Sequence, residues 1–530
     1  MAFKSFMPIA LDQLPDDVDA LKALLVGQAR KHDEVVARNA RLQSKVITLQ
    51  EQLNLALARR YAASSEKIAP DQIRLFDEAE VDAEAQAEPV EEYVITVPEH
   101  SRKKRGRRTL AESLPRIDVV HALADDERSC PHDGKPLTEI GEVTSEQLDI
   151  IPARIQVIRH IRKQYACTCG QCIKTAPLPA QPIPRSLASP GLLAHISVSK
   201  YQDALPLYRQ EIILKRIGVE LPRATLANWM IQAGSLVQPV INLLRDHLLA
   251  YDILQMDETP VQVLQEPGKT AQSKSYLWVQ RGGPPDRPVV LYDYDPGRGA
   301  SVAKRLLDGF TGYLQTDGYD GYNAVVSAND LIHVGCMAHA RRKFSEAVKA
   351  QSKHKSKNKM CSKAHRGLAL IQKLYRVEKQ ARTLTPEDRY GHRQRHARPI
   401  LDEVRAWLDD ALPQVPPTTA TGKALNYLNN EWDKLIRYLD DGRLAIDNNG
   451  AENAIRPFVV GRKNWLFSAS VKGVKASANL YSLIETAKAN GLEPYAYLRH
   501  LFTELPKAET VEAIEALLPG NLDVDQIRLC

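Results

Sequence analysis

At Tyr251 the spacing of apolar residues changes from a helical three-to-four repeat to short runs separated by turn residues, and no other feature narrows the possible folds as much. DILQMDETPVQVL, SYLWVQRG and PVVLYDYDPGRG follow one another closely, so residues 252–299 predict three strands joined by tight turns. SVAKRLLDGF then has helical spacing, GYLQTDGYDGY supplies a fourth strand and a second short helical segment, and LIHVGC supplies a fifth strand. The chain is therefore expected to be multidomain α+β, with a mixed sheet at its centre.

Three strands in a meander, followed by alternating helix and strand, resemble the layout of a ribonuclease H-like sheet. On such a sheet Asp257 ends the first strand and Asp317 ends the fourth, and adjacent strand ends bring two carboxylates within reach of shared cations. Mg²⁺ and Mn²⁺ prefer oxygen ligands, and two such ions roughly 3.5 to 4 Å apart activate a water and stabilise a leaving 3′ oxygen during in-line attack on phosphorus. A third acid must complete the site. Each aspartate alone has an ordinary explanation, since Asp before Gly in DGY makes a turn and Asp in DET can cap a helix. The combination carries the argument.

Beyond the fifth strand lies a long basic helical insertion, residues 343–440, with clusters such as KAQSKHKSKNK and YGHRQRHARP. It leads into DGRLAIDNNGAENAIRPFVVGRKNWLFS, where Asp447, Asn448 and Asn449 form a polar turn able to cap a helix. Glu452 and Arg456 then share one helix face at i and i+4, either as an exposed ion pair or with Glu452 as the missing acid. Arg462 and Lys463 are candidate phosphate ligands. Glu485, in SLIETAKANG, is the rival third acid, although its apolar-periodic helix suits packing at a core edge.

Upstream, residues 15–60 can be laid on heptads. Val18, Leu25, His32, Asn39, Val46 and Leu53 occupy one seam position, and Leu21, Gln28, Val35, Leu42, Leu49 and Ala56 the other. This predicts self-association through a coiled coil, or else one amphipathic helix packed on its own protein. Residues 61–117 read as a charged linker in which DEAEVDAEAQAEPVEE gives way to RKKRGRR. Residues 118–178 hold four of the seven cysteines, and that concentration points to a zinc-ribbon-like DNA-binding module. Cys130, Asp133, Cys169 and Cys172 are the expected zinc ligands, with His132 or Cys167 as alternatives. Residues 183–240 are helical, and LYRQEIILKRI, Gly218 and PRATLANWMIQAG have helix-turn-helix form. Arg223, Thr225 and Asn228 are then DNA-reading candidates, with plain helix packing as the alternative. A catalytic domain is expected at 249–475 and a C-terminal helical region at 480–525.

No apolar run approaches the roughly 18 residues of a membrane span, and the start lacks the charged and apolar regions of a secretory signal. A cytoplasmic location is expected on these grounds. The net charge of +6 is too modest to argue for nucleic acid by itself.

MDETP, QTDGYDGYN, HVGCMAHARRKF and IDNNGAENAIRP with GRKNWLFS resemble the insertion-sequence sixty-six (TnpC-type) family of transposases. The resemblance spans nearly the whole chain and takes in SSEKIAPDQIRLFDEAE, the CPHDG knuckle and GLEPYAYLRHLF. It implies a ribonuclease H-like catalytic domain whose Asp257, Asp317 and Glu452 hold Mg²⁺ or Mn²⁺, cut DNA at the element's terminal repeats and join the freed 3′ hydroxyl to target DNA. It also implies a bacterial, nucleoid-associated protein and two small accessory proteins encoded by the same element. Cys336 and His339 resemble a pair found beside the fifth strand in related transposases. A nuclease on the same fold, or a DNA-binding regulator that has lost catalysis, are the alternatives. Abolition by one Ser or Tyr change with the acids intact would instead indicate a hydroxyl-nucleophile recombinase.

Overall fold

Good helix formers dominate residues 18–61, and they build one continuous helix, α1 (Val18–Tyr61). The computed structural model describes residues 17–61, 155–166, 173–350 and 362–523. The chain divides into two units, residues 77–178 and the rest. In the first of these, β1 (Gln164–Ala166) and β2 (Ile173–Thr175) form an antiparallel hairpin with Tyr165 opposite Lys174.

Along α1 the seam residues Leu25, Val35, Leu42, Val46, Leu49 and Leu53 are exposed to solvent in the single chain. Two polar contacts tie its C-terminal portion to the body. The Asn54 side chain donates to the Ala350 carbonyl at 2.9 Å, and Glu51 accepts from the Ala420 backbone N–H at 2.7 Å, the latter at a helix N-terminus where a carboxylate is favoured.

Four helices precede the sheet: α2 (Pro190–Tyr201), α3 (Leu207–Arg216), α4 (Arg223–Leu236) and α5 (Gln238–Leu249). Gly218, at φ +83°, makes the turn between α3 and α4. α4 buries Leu226, Trp229, Met230 and Ala233. It also packs so closely on a later helix that a Cβ on Gly234 would lie 2.5 Å from the Ala476 Cβ. The packing expected as the alternative for this segment is thus observed, and Arg223 and Asn228 are exposed.

The strands fall where the apolar runs put them: β3 (Ile253–Gln265), β4 (Lys274–Gly282), β5 (Val289–Asp295), β6 (Tyr313–Gln315) and β7 (Ile332–Val334). α6 (Ala300–Leu306) and α7 (Asn323–Ala328) separate the last three. The sheet order is β5-β4-β3-β6-β7, antiparallel from β5 to β3 and parallel from β3 to β7. A mixed sheet with helical cover is thus observed. One expectation fails in detail. Asp257 does not end the first strand, because β4 is long enough to pair with β3 from Leu254 to Gln262 and Asp257 sits inside that pairing, opposite Val279.

After β7 comes the helical insertion, built of α8 (Met337–Ala350), α9 (Lys363–Gln380), α10 (Pro386–His396), α11 (Arg398–Ala411), α12 (Ala420–Asn430) and α13 (Trp432–Ile436). It has its own core around Phe344, Leu374, Leu408 and Leu428. Arg393 is fully buried there. It is paired with Glu378 at 2.7 Å, and it donates to the carbonyls of Tyr438, Asp441 and Leu444, so its burial is compensated and the chain leaving the insertion is fixed. Arg443 next makes a bidentate pair with Asp252 at 2.9 and 2.7 Å, attaching this exit to the start of β3.

α14 (Asn449–Trp465), β8 (Ser468–Ser470), α15 (Val471–Ala489), α16 (Pro494–Glu504) and α17 (Val511–Glu515) complete the chain. β8 pairs with the far end of β3. Both outer strands of the five-strand order are covered. Along β5, the N–H groups of Val290 and Tyr292 donate to the hydroxyls of Thr486 and Ser482 on α15 at 3.0 and 2.8 Å, and the Thr486 hydroxyl donates to the Val290 carbonyl. Beside β7, Arg437 donates to the His333 carbonyl at 3.0 Å, and Gly335 N–H donates to the Lys434 carbonyl at 2.9 Å.

Candidate functional site

Each of the two parallel strands β3 and β6 carries the pattern Leu-Gln-x-Asp, at Leu254–Asp257 and Leu314–Asp317. Their register pairs Leu254 with Leu314 and Gln255 with Gln315, so the two aspartates follow the paired glutamines at equal offsets. Both glutamines are buried, and their amides bond to each other, Gln255 Nε2 donating to Gln315 Oε1 at 2.8 Å. The remaining amide groups meet the chain that leaves the insertion on one side and β4 on the other. Gln315 Nε2 donates to the Ala445 carbonyl at 2.8 Å, and Arg281 donates to Gln255 Oε1 at 3.0 Å.

Asn448 completes this attachment. Its side chain donates to the Met256 carbonyl at 2.8 Å, directly before Asp257, and its backbone N–H donates to Cys336 Sγ at 3.2 Å. The expected capping role is therefore not what Asn448 performs: it occupies the N-cap position of α14 without a side-chain cap bond, because its amide is committed to β3. Asp447 Oδ1 instead accepts from Asn449 N–H at 3.2 Å. Gly450 permits the close approach, since a Cβ there would stand 2.1 Å from Gln255 Oε1 and 2.8 Å from Arg281 Nη1. One turn on, Glu452 N–H bonds the Asn448 carbonyl, and its carboxylate is near enough to Asp257 to disfavour ionisation there slightly.

The electrostatics follow from this convergence. Burial, the neighbouring Glu258 and the charges of Asp317 and Glu452 push the Asp257 carboxyl up to about 8, against one opposing hydrogen bond from Glu258 N–H. Asp317 is half-buried, and its Oδ1 accepts from Tyr319 N–H at 3.0 Å, the turn bond expected of Asp before Gly. Glu452 has Arg342 at 3.4 Å and the His339 ring at 3.8 Å.

Glu258 lies on the other face of β3 and was not among the residues expected at the site. Its carboxylate accepts from the Tyr322 hydroxyl at 2.6 Å and from Arg298 Nε at 2.7 Å. Burial raises its proton affinity, and these two bonds oppose that effect. Arg298 stacks on the Tyr319 ring, its guanidinium carbon 3.8 Å from the centroid. An acid adjoining Asp257 in a period-two strand, and an arginine in the turn after β5, were the available signals.

The other expected residues divide. Arg456 is half-buried on α14, and Lys463 is exposed. Arg462 donates to the Pro260 carbonyl and reaches Thr259 at 3.4 Å, so it braces β3. Glu485 is buried behind β5 and paired with Lys488 at 2.9 Å. Cys130, His132, Asp133, Cys167, Cys169 and Cys172 lie outside the described residues. No helix among the described residues is long and apolar enough to cross a membrane.

Comparison with known proteins adds to this geometry. The model of the Transposase IS66 family matches residues 185–476, and that of the IS66 C-terminal element matches 482–519. A zinc-finger binding domain of transposase IS66 matches 127–170, and the model described as transposase C of IS166 homeodomain matches 48–119. Among full-length relatives, uncharacterized protein y4qI of Sinorhizobium fredii is 32% identical over 98% of this chain and 99% of its own length. Uncharacterized protein y4jD of the same organism is 34% identical over 81% of this chain and 86% of the relative.

Proposed function

The chain belongs to the IS66 transposase family, and from that premise we propose that it is a DNA transposase whose ribonuclease H-like core holds Mg²⁺ or Mn²⁺ on Asp257, Asp317 and Glu452. What supports this reading most is the parallel register of β3 and β6, which sets Asp257 and Asp317 at equal offsets beyond the bonded pair Gln255 and Gln315. Carboxylates so placed fit hard cations with oxygen preference. When bound, such ions supply positive charge that eases ionisation of an attacking water or hydroxyl and offsets charge on the departing 3′ oxygen.

The residues of the chain then position the reactants. The amide network of Gln255, Gln315 and Asn448 fixes the relation of the acids, and preorganisation of this kind avoids rearrangement during reaction. Arg456 and Lys463 contribute phosphate contacts, and Arg462 joins them by holding β3 in place. Arg223 and Asn228, exposed at the start of α4, bind DNA. Cys130, Asp133, Cys169 and Cys172, with His132 or Cys167 as alternatives, hold zinc; all but Cys172, two residues beyond it, fall within the matched zinc-finger segment 127–170. The exposed seam of α1 pairs with a second copy as a coiled coil, bringing two element ends together. Accessory proteins of the same element assist.

The test is incubation of the full-length protein with duplex DNA carrying the element's ends in Mg²⁺ or Mn²⁺, beside Asp317→Asn, with the accessory proteins added. Metal-dependent 3′-end nicking and joined product, both lost in the variant, are expected. Binding without cleavage would refute the catalytic reading and favour a DNA-binding regulator; cleavage without joining would favour a nuclease.

A further inference from the structure

We propose that Cys336, His339 and Glu452 form a binding site for a thiophilic divalent cation of the zinc type, distinct from the all-oxygen pair Asp257 and Asp317 and sharing Glu452 with it. Cys336 ends the segment after β7, His339 lies in the first turn of α8 with its N–H on the Cys336 carbonyl at 3.2 Å, and Glu452 comes from the first turn of α14. One ligand atom from each lies within 4.8 Å of the others. Tetrahedral zinc, with ligands at roughly 2.0 to 2.3 Å, needs them about 3.3 to 3.8 Å apart, so a contraction of about 1 Å closes the set around an ion and a water.

Two independent observations favour an ion there. His339 Nδ1 and Glu452 Oε1 are 3.8 Å apart and are both buried without a hydrogen-bond partner, a condition that buried polar atoms rarely tolerate. A cation between them satisfies both. Cys336 Sγ already accepts the Asn448 N–H at 3.2 Å, the kind of outer-shell bond that supports a metal-bound thiolate. Sulfur also selects the ion. Mg²⁺ avoids thiolates, whereas zinc accepts sulfur, nitrogen and oxygen together.

Coordination moves the Cys336 thiol proton to solvent and places the His339 proton on Nε2. The 3.4 Å approach of Arg342 to Nε2 must then open, and Arg342, which is half exposed, has Glu452 Oε2 as its other acceptor at 3.4 Å. Glu452 cannot fully serve both sites at once. Zinc therefore competes with Mg²⁺ for the third acid and inhibits strand cleavage, a consequence that rests on the function proposed above, whereas the binding itself does not.

The test uses the full-length chain, stripped of metal, loaded with Zn²⁺ or Co²⁺ and desalted, beside Cys336→Ser and His339→Gln, without DNA. Both variants are expected to retain about one metal ion per chain fewer than the wild type. Cys336→Ser should also lose thiolate-to-cobalt absorption that His339→Gln weakens or shifts, above a background from the other cysteines that is common to all three. Equal metal content in the wild type and His339→Gln overturns the proposal. If Cys336→Ser does not fold, as read by circular dichroism, His339→Gln decides alone; if both fail, metal content of the wild type is compared with Glu452→Gln. A separate arm titrates Zn²⁺ into the Mg²⁺-dependent nicking reaction, where the ratio of rates with and without zinc should fall less in His339→Gln than in the wild type. Metal binding without that difference would remove the competition and leave the site standing.

Discussion

Gly450→Ala is expected to destabilise the protein even though the position opens a helix, where alanine is ordinarily the better residue by about 1 kcal/mol. The added Cβ would stand 2.1 Å from Gln255 Oε1 and 2.8 Å from Arg281 Nη1. Non-bonded heavy atoms rest near 3.5 Å, so the amide must retreat by about 1 Å or more. Gln255 cannot move that far and keep its 2.8 Å bond to Gln315 or its 3.0 Å bond from Arg281. Overpacking of a filled interior costs about 1–3 kcal/mol, and each weakened buried hydrogen bond adds about 1 kcal/mol. After the helix-propensity gain is subtracted, about 2–4 kcal/mol of net loss remains. The measurement is the urea midpoint of the purified chain, with amide exchange followed across residues 445–455. Gly473→Ala is the matched control, because a Cβ there meets Ser470 Oγ at an ordinary 3.5 Å and the change should be neutral or stabilising. If Gly450→Ala is as stable as the wild type or more so, close approach at this turn is not what fixes Glu452, and the account of the site loses its mechanical basis.

Mg²⁺ at about a hundred times its dissociation constant should stabilise the wild type by about 2.7 kcal/mol, and Asp257→Asn should abolish that gain in thermal melts; equal gains would place the metal elsewhere. His333 is buried, its ring bonded to Thr316 at 2.8 Å, and burial together with Lys434 and Arg437 lowers its pKa to about 3. Its contribution is complete above the unfolded value near 6.5 and is lost as pH falls from there toward 3, by about 1.4 kcal/mol per unit. His333→Gln should make the acid dependence of the urea midpoint shallower between pH 6 and 4, and an unchanged slope would contradict the assignment. Leu42→Asp with Leu49→Asp should reduce the molar mass seen in light scattering to that of one chain, while an unchanged mass would exclude the α1 seam as the self-association surface.

The strands were legible because their signal is local. Alternation and turn residues locate β3 to β7 within a few positions, and Asp257 and Asp317 could be aligned from the pattern alone. Where β3 ends was not legible, since that depends on the length of β4, which sits downstream in the chain. The role of Asn448 was misread for a related reason: an asparagine before a helix suits a cap by local rules, yet its amide goes to Met256 O, a partner 192 residues away in sequence. The repeated Leu-Gln-x-Asp held a clue to Gln255 and Gln315, because an amide in an otherwise apolar strand must find partners when buried. Glu258 beside Asp257 and Arg298 in the turn after β5 were each visible, but that the two would pair depends on the fold of the strands between them.

The two outer strands described above bear on how copies of this chain meet. A bare strand edge is a template on which a second sheet can grow, and chains that leave one open are prone to pair indiscriminately. Here β5 gives backbone groups to the hydroxyls of Ser482 and Thr486, and Arg437 takes a carbonyl of β7, so neither margin offers an uninterrupted row of donors and acceptors. Any further chain that docks on this sheet must therefore do so through side-chain surfaces, where a few residues set affinity and geometry.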